Sequence, residues 1–196
     1  MVLPMYLMAA FLLLLGGFIV FHVLVRRDYR HRGYLTPLTS FLELVIWLLF
    51  VCFPDIYNPP DWWLVCFANT PVSPVHKIIG STLVAVGMAV ALIAMAGLGV
   101  RTTMGGKAQA LQQTGLYRVS RNPQLVGCGL AVLGVAVLWP SWYALGWIVL
   151  YGVIGHLMVL AEEEHLRSTH GESYVKYCRE IPRYIGIPRK SKNAAA

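Results

Sequence analysis

The feature that most constrains this chain is the length of its apolar runs. Four of them, over 6–25, 38–53, 78–100 and 142–161, approach or exceed a bilayer crossing, and a shorter one covers 125–138. A crossing takes about 20 predominantly apolar residues in a helix that rises 1.5 Å per residue. The expectation is an all-α integral membrane protein with about five transmembrane helices. Composition agrees: 57% of the residues are hydrophobic and only 13% charged, against about a quarter charged in soluble domains.

The charged residues are sorted along the chain. Arg26, Arg27, Arg30 and Arg32 follow the first run, and Arg101, Lys107, Arg118 and Arg121 follow the third. Arg167, Lys176, Arg179, Arg183, Arg189, Lys190 and Lys192 follow the fifth, which leaves Lys77 alone elsewhere. Positive charge gathers in cytoplasmic loops, so the expectation is an N-terminus outside, with the C-terminus and the polar segments on the cytoplasmic side. The first run does not read as a signal peptide, because its basic residues follow the apolar stretch instead of preceding it. The net charge of +7 is then a matter of orientation and of anionic lipid, and no nucleic-acid partner is expected.

Cys52, Cys66, Cys128 and Cys178 form no C-x-x-C pair, and no metal site is expected. Cys52 and Cys66 share the outer side and could pair. No repeat, long linker or low-complexity segment is evident, so residues 1–196 read as a single membrane domain. The fourth and fifth runs are joined by only "WPS" and must form a helix hairpin. That hairpin returns two polar segments, "RTTMGGKAQALQQTGLYRVSRNPQ" and "EEEHLRSTHGESYVKYCREIPRYIGIPRK", to one level.

Within the first of these, Asn122 before Pro123 has the form of a helix start, with asparagine as cap and proline at the first helical position. It reads either as the cap of the fourth span or, with Arg121, as an anion site at a helix N-terminus. The second segment begins with Glu162, Glu163 and Glu164. With the helix taken to stop at Gly171, they lie at the interface, where a carboxylate facing lipid costs about 2.5–3.5 kcal/mol on insertion scales. Successive helical residues point about 100° apart, so one or two of the three must face the bundle. Arg167 offers Glu163 an i+4 partner. The alternative to simple solvation is a negatively lined pocket for a cation or a ligand rich in amino and hydroxyl donors.

His156 precedes Glu163 by seven residues and shares nearly its helical face, and Glu43 lies near the same end of the second span. Tyr174, Tyr177 and Ile181 are spaced to lay an amphipathic segment on the membrane or over a pocket.

Taken together, "GLYRVSRNPQLVG", the hairpin, "EEEHLRSTHGESYVKY" and "IPRYIGIP" resemble the intramembrane methyltransferases that include isoprenylcysteine carboxyl methyltransferase and the phospholipid N-methyltransferases. The resemblance covers residues 78–188; the first two spans are generic. It implies a cytoplasmic S-adenosylmethionine pocket built by a G-x-Y…R-[HN]-P motif and a glutamate pair, here Tyr117, Arg121, Asn122, Pro123, Glu162 and Glu163. Gly97 and Gly99 in "GLGV" match a weaker glycine motif. Two departures stand out: Leu125 replaces a common aromatic, and Asn122 replaces a frequent histidine and cannot act as a base. The implied reaction is methyl transfer to a lipidic or prenylated acceptor entering from the bilayer, whether a prenylcysteine carboxylate or a phospholipid amine. His165, Tyr174, Tyr177 and Arg183 are the catalytic candidates near the acceptor. Two other readings compete. One is a sterol-reductase-like enzyme using NADPH, for which no G-x-G-x-x-G precedes a helix. The other is a non-enzymatic cation-binding membrane protein. Oligomeric state is left open.

Overall fold

The computed structural model describes residues 2–58, 62, 72–99 and 111–188. Among them there is no strand, and five principal helices carry the fold: α1 (Val2–Arg32), α2 (Pro37–Cys52), α3 (Pro74–Leu98), α4 (Pro123–Leu138) and α5 (Trp142–Glu180). Four are long and apolar enough to cross a membrane, α2 doing so with the 3₁₀ turn Phe53–Ile56 that extends it. The shorter α4, 16 residues, is about 24 Å long. Helix starts follow the local chemistry: Thr36, Ser73 and Ser141 each accept an amide of the first turn through the side-chain oxygen, and Pro37 and Pro74 sit just inside.

The first helix is longer than expected. The stretch "RRDYRHR", which charge alone assigns to a loop, continues α1 to a left-handed Gly33 (φ 72°). A π-helical segment, Phe18–Val25, lies between the apolar part and this charged turn. Buried Asp28 accepts hydrogen bonds from the Thr36 amide (2.9 Å) and from the Thr36 and Thr39 hydroxyls (both 2.6 Å). These bonds tie the end of α1 to the start of α2 and keep Asp28 satisfied in the interior.

Contacts fix the directions of the helices. Tyr6 bonds Tyr143, Gly17 packs on Ile154 and Tyr29 stacks on His165, so α1 and α5 run parallel. Trp147 donates to the Phe50 carbonyl while Gly16 faces Ile46, which sets α2 antiparallel to both. In the α4–α5 hairpin the Tyr151 hydroxyl donates to the Leu125 carbonyl at 2.5 Å. The basic segments therefore meet at one end of the bundle. At the other end Tyr6, Phe53, Tyr57 and Tyr143 pack on one another with ring centroids 5.0–5.9 Å apart, an aromatic cluster that closes that end of the core.

The α3–α4 pair approaches backbone to backbone. A Cβ added at Gly127 would lie 2.6 Å from the Ala91 nitrogen, and one at Gly134 would lie 2.6 Å from the Gly80 oxygen. Without a hydrophobic drive between helices in lipid, small residues that permit such contact supply the packing.

Gly171 does not stop α5. The backbone leaves helical geometry there (φ 52°, ψ −126°) and the helix resumes to Glu180, so Gly171 is a kink in a conformation natural to glycine. Cys66 lies outside the described residues, and with it the suggested Cys52–Cys66 pairing.

Candidate functional site

Rotation about α5 sends the three consecutive glutamates to three environments. Glu164 turns to α1, where Arg26 reaches it at 3.1 Å and Arg30 at 2.5 Å. Glu163 is buried and turns to the opposite side, where Arg121 Nη1 donates at 2.8 Å and Arg183 donates through Nε (2.9 Å) and Nη2 (2.8 Å). The expected partner Arg167 makes no ion pair with it; α5 presents Arg167 to solvent. Burial explains the preference, since two converging guanidiniums with fixed forks compensate a buried carboxylate better than one mobile neighbour on an exposed face.

Glu162 is different. Among the described residues it has no hydrogen bond and no ion pair, and its electrostatic neighbours are Glu163, Glu43 of α2 and the hydroxyls of Tyr29 and Tyr117. Glu43 falls on the inward stripe of α2 that carries buried Thr39, Ile46 and Phe50, at i+4 and i−3 from its neighbours on that face. Two carboxylates thus act on one another inside the basic end, and among the described residues neither is ion-paired. Tyr117, buried just before α4, has its phenol pushed up to about 12, first by burial and then by the Glu162 charge. It therefore stays protonated at neutral pH, and its hydroxyl donates to Gln124 Oε1 at 3.2 Å.

A strap formed by residues 181–188 closes one side. The Arg121 amide donates to the Pro182 carbonyl (3.0 Å), and the Asn122 side-chain amide donates to the Arg183 carbonyl (2.9 Å). This corrects the capping role expected of Asn122: it stands at the N-cap position with Pro123 next, yet its side chain makes no cap bond. The strap then places adjacent residues against positions two turns apart on one α5 face. Arg183 holds Glu163, and the Tyr184 hydroxyl pairs with His156 Nδ1 at 2.8 Å, consistent with the shared face of His156 and Glu163. The hydrogen bonds from Glu163 raise the Arg183 pKa, keeping the guanidinium charged.

The remaining sequence candidates divide. Tyr174 is buried beside Arg121 and Glu163, and the Tyr177 hydroxyl donates to the Tyr117 carbonyl at 2.7 Å. The post-kink helix therefore packs over the site and not onto a membrane surface. His165 lies on the α1 side, its ring stacked on Tyr29 with centroids 4.0 Å apart. Gly97 and Gly99 end α3; a Cβ at Gly97 would meet only Gln112, at 3.9 Å, and Gly99 has φ +84°. Sequence reasoning missed Tyr29 and the Arg26/Arg30 pair, although arginines at i and i+4 beyond an apolar run already form one face of a helix.

The donor set can be matched to a ligand. Glu162 is an acceptor with no donor among the described residues, and Arg121 Nε is a buried donor with no acceptor. A zwitterion bearing ammonium, carboxylate and hydroxyl groups fits that combination. The family described as phospholipid methyltransferase matches residues 75–173, half of the chain.

The chain belongs to the phospholipid methyltransferase family.

It is accordingly a multi-pass membrane methyltransferase. No curated protein and no solved structure matches the chain. The matched region takes in α3 from its second residue, α4, Tyr117, Arg121, Asn122, Pro123 and the glutamates. It leaves Tyr29, Glu43, Tyr174, Tyr177 and Arg183 outside, so residues flanking the family region on both sides contribute to the site.

Proposed function

We propose that this methyltransferase transfers a methyl group from S-adenosylmethionine to the amine of a lipid at the basic, cytoplasmic end of the bundle. The observation that carries the reading is the division of labour among the glutamates. Glu163 and Glu164 are neutralised by arginines, whereas Glu162 faces Glu43 with no cation of its own. A buried carboxylate without a partner is costly, and a cationic ligand offsets that cost.

S-adenosylmethionine, when bound, supplies an electrophilic methyl group on a sulfonium. Glu162 would accept charge-assisted hydrogen bonds from its ammonium or ribose hydroxyls, and Arg121 Nε and the first amides of α4 behind Asn122 and Pro123 would suit its carboxylate. Tyr117, held neutral, donates a hydrogen bond without adding negative charge. Glu163 clamps α4, α5 and the strap together through Arg121 and Arg183, which fixes the wall of the pocket and excludes water. Tyr174 and Tyr177 support that wall, and His165 with Tyr29 forms the opposite one. Gly97 and Gly99 would leave room at the end of α3.

The same cluster discriminates between acceptors. A buried carboxylate pair with no arginine of its own suits an amine better than a further carboxylate, which would add to the like charge of any ionised member, so the phospholipid-amine acceptor is the preferred one. The test is methyl transfer by the purified chain in phosphatidylethanolamine vesicles supplied with S-adenosylmethionine carrying a labelled methyl. Label in the lipid, lost with Glu162→Gln, is the expected result. Label that enters only a prenylcysteine acceptor would overturn the amine preference, and label in neither would overturn the reading.

A further inference from the structure

Glycines of the spanning helices serve different ends, and two extremes stand out. Gly80, Gly87, Gly127 and Gly134 are required by packing, since a Cβ at any of them would come within 2.9 Å of the facing helix backbone. Gly152 in the middle of α5 is not: a Cβ there would meet nothing within 4 Å. Glycine in a helix interior costs about 1 kcal/mol relative to alanine, and at Gly152 no protein contact offsets it. What the missing side chain leaves open is a groove of about 410 Å³ between α4 and α5, walled by Leu125, Gly129, Leu133, Ile148 and Gly152.

Three properties define what fits there. The wall is almost wholly apolar, and it belongs to the hairpin that crosses the membrane, so the groove opens onto hydrocarbon. From Leu125 to Leu133 it extends about 12 Å along α4, close to the roughly 15 Å of hydrocarbon in one leaflet. Its end nearest the basic side is polar: His156, an exposed ionisable residue within a span, reaches into it and is hydrogen-bonded to Tyr184. Ionisable groups at that depth are expensive unless they serve a polar partner. Tyr184 is also the residue after Arg183, so the polar end of the groove adjoins the glutamate site through the strap.

From this continuity we infer that the groove seats one acyl chain of the acceptor lipid, drawn from the leaflet on the basic side, with the His156–Tyr184 pair hydrogen-bonding the ester-level oxygens beneath the headgroup. The inference rests on the methyl-transfer reading for the word acceptor. The seat itself rests on the groove. Its chemistry specifies a saturated or unsaturated hydrocarbon chain below a hydrogen-bonding linkage, and it orients the headgroup toward Glu162.

The experiment uses the full chain in phosphatidylcholine vesicles containing a trace of phosphatidylethanolamine with a diazirine at mid-chain. Photolysis is followed by peptide mapping, and S-adenosylmethionine binding is measured on the same sample. The expected result is label concentrated on the groove segments around Leu133 and Gly152 relative to Phe41 and Leu44 of α2, which are more exposed than Leu133, and loss of the groove label in Gly152→Trp. Groove and α2 labelled alike in wild-type protein means annular lipid only and overturns the inference without reference to any variant. Groove label that survives in a folded Gly152→Trp protein overturns it as well. Concentrated label in a protein that binds no S-adenosylmethionine overturns the assignment to an acceptor by removing the methyl-transfer reading, and so is distinguished from uniform label in a protein that binds it.

Discussion

Glu163→Gln isolates what the buried ion-pair cluster does for stability. The substitution keeps the shape of the side chain and removes its charge, leaving Arg121 and Arg183 to face a neutral amide. The carboxylate side chain is 9% exposed, Arg121 11% and Arg183 37%. The Arg121 half is thus a buried pair, for which loss of one partner costs about 3–5 kcal/mol. The Arg183 half is partly screened and adds up to about 1 kcal/mol. With roughly 2–4 °C per kcal/mol for a chain of this size, thermal unfolding in detergent should fall by roughly 6–24 °C. Glu164→Gln, in a pair whose carboxylate is 41% exposed, should cost about 1 kcal/mol or less. Glu162→Gln breaks no pair and removes one of two like charges, so its unfolding temperature should match or exceed that of the wild type. Scanning fluorimetry of the three variants side by side provides the ranking. A shift below about 2 °C for Glu163→Gln, or an equal loss for Glu162→Gln, would refute the division of the glutamates into paired and unpaired.

Backbone geometry supplies two further predictions. Gly127→Ala places a methyl 2.6 Å from the Ala91 nitrogen and should destabilise by about 1–3 kcal/mol through overpacking, measurable as a lower unfolding temperature, whereas Gly152→Ala should be neutral or stabilising. Gly171→Ala meets no neighbour within 4 Å but must adopt φ 52° and ψ −126°, and should cost about 1–3 kcal/mol through backbone strain alone; a stabilised variant would mean that the kink straightens.

Much of the architecture was legible because the bilayer makes it so. Each span must satisfy its own backbone, and apolar run length reports that directly. Where the sequence misled, a polar group had a choice of partners. "RRDYRHR" looked like a loop, yet it is helical because Arg26 and Arg30 find Glu164 on α5 and Asp28 finds Thr36 and Thr39 on α2. Glu163 was expected beside Arg167, four residues on, and instead pairs with Arg121 and Arg183 from two other segments. Asn122 was read as a cap because Asn-Pro is a helix-start pattern, but the strap carbonyl of Arg183 takes its amide. Local periodicity identifies the face on which a charge lies. It carries no information about which distant segment folds onto that face, and for the glutamate triplet that choice separates the ion-paired members from the unpaired one. The suspicion attached to Glu43 and His156 came from a different rule, that ionisable residues in a span are expensive. Glu43 faces Glu162, and His156 ends the groove.

The central claim is that Glu162 is the ligand-directed member of the triplet, and calorimetric titration of S-adenosylmethionine into wild-type and Glu162→Gln protein in detergent tests it most directly. The account predicts saturable binding to the wild type and an affinity about 10–100-fold weaker in a variant that unfolds at the same temperature or higher, the loss expected for a charged hydrogen bond of about 1.5–3 kcal/mol. Equal affinity in the two proteins, or no binding by folded wild type, would contradict it.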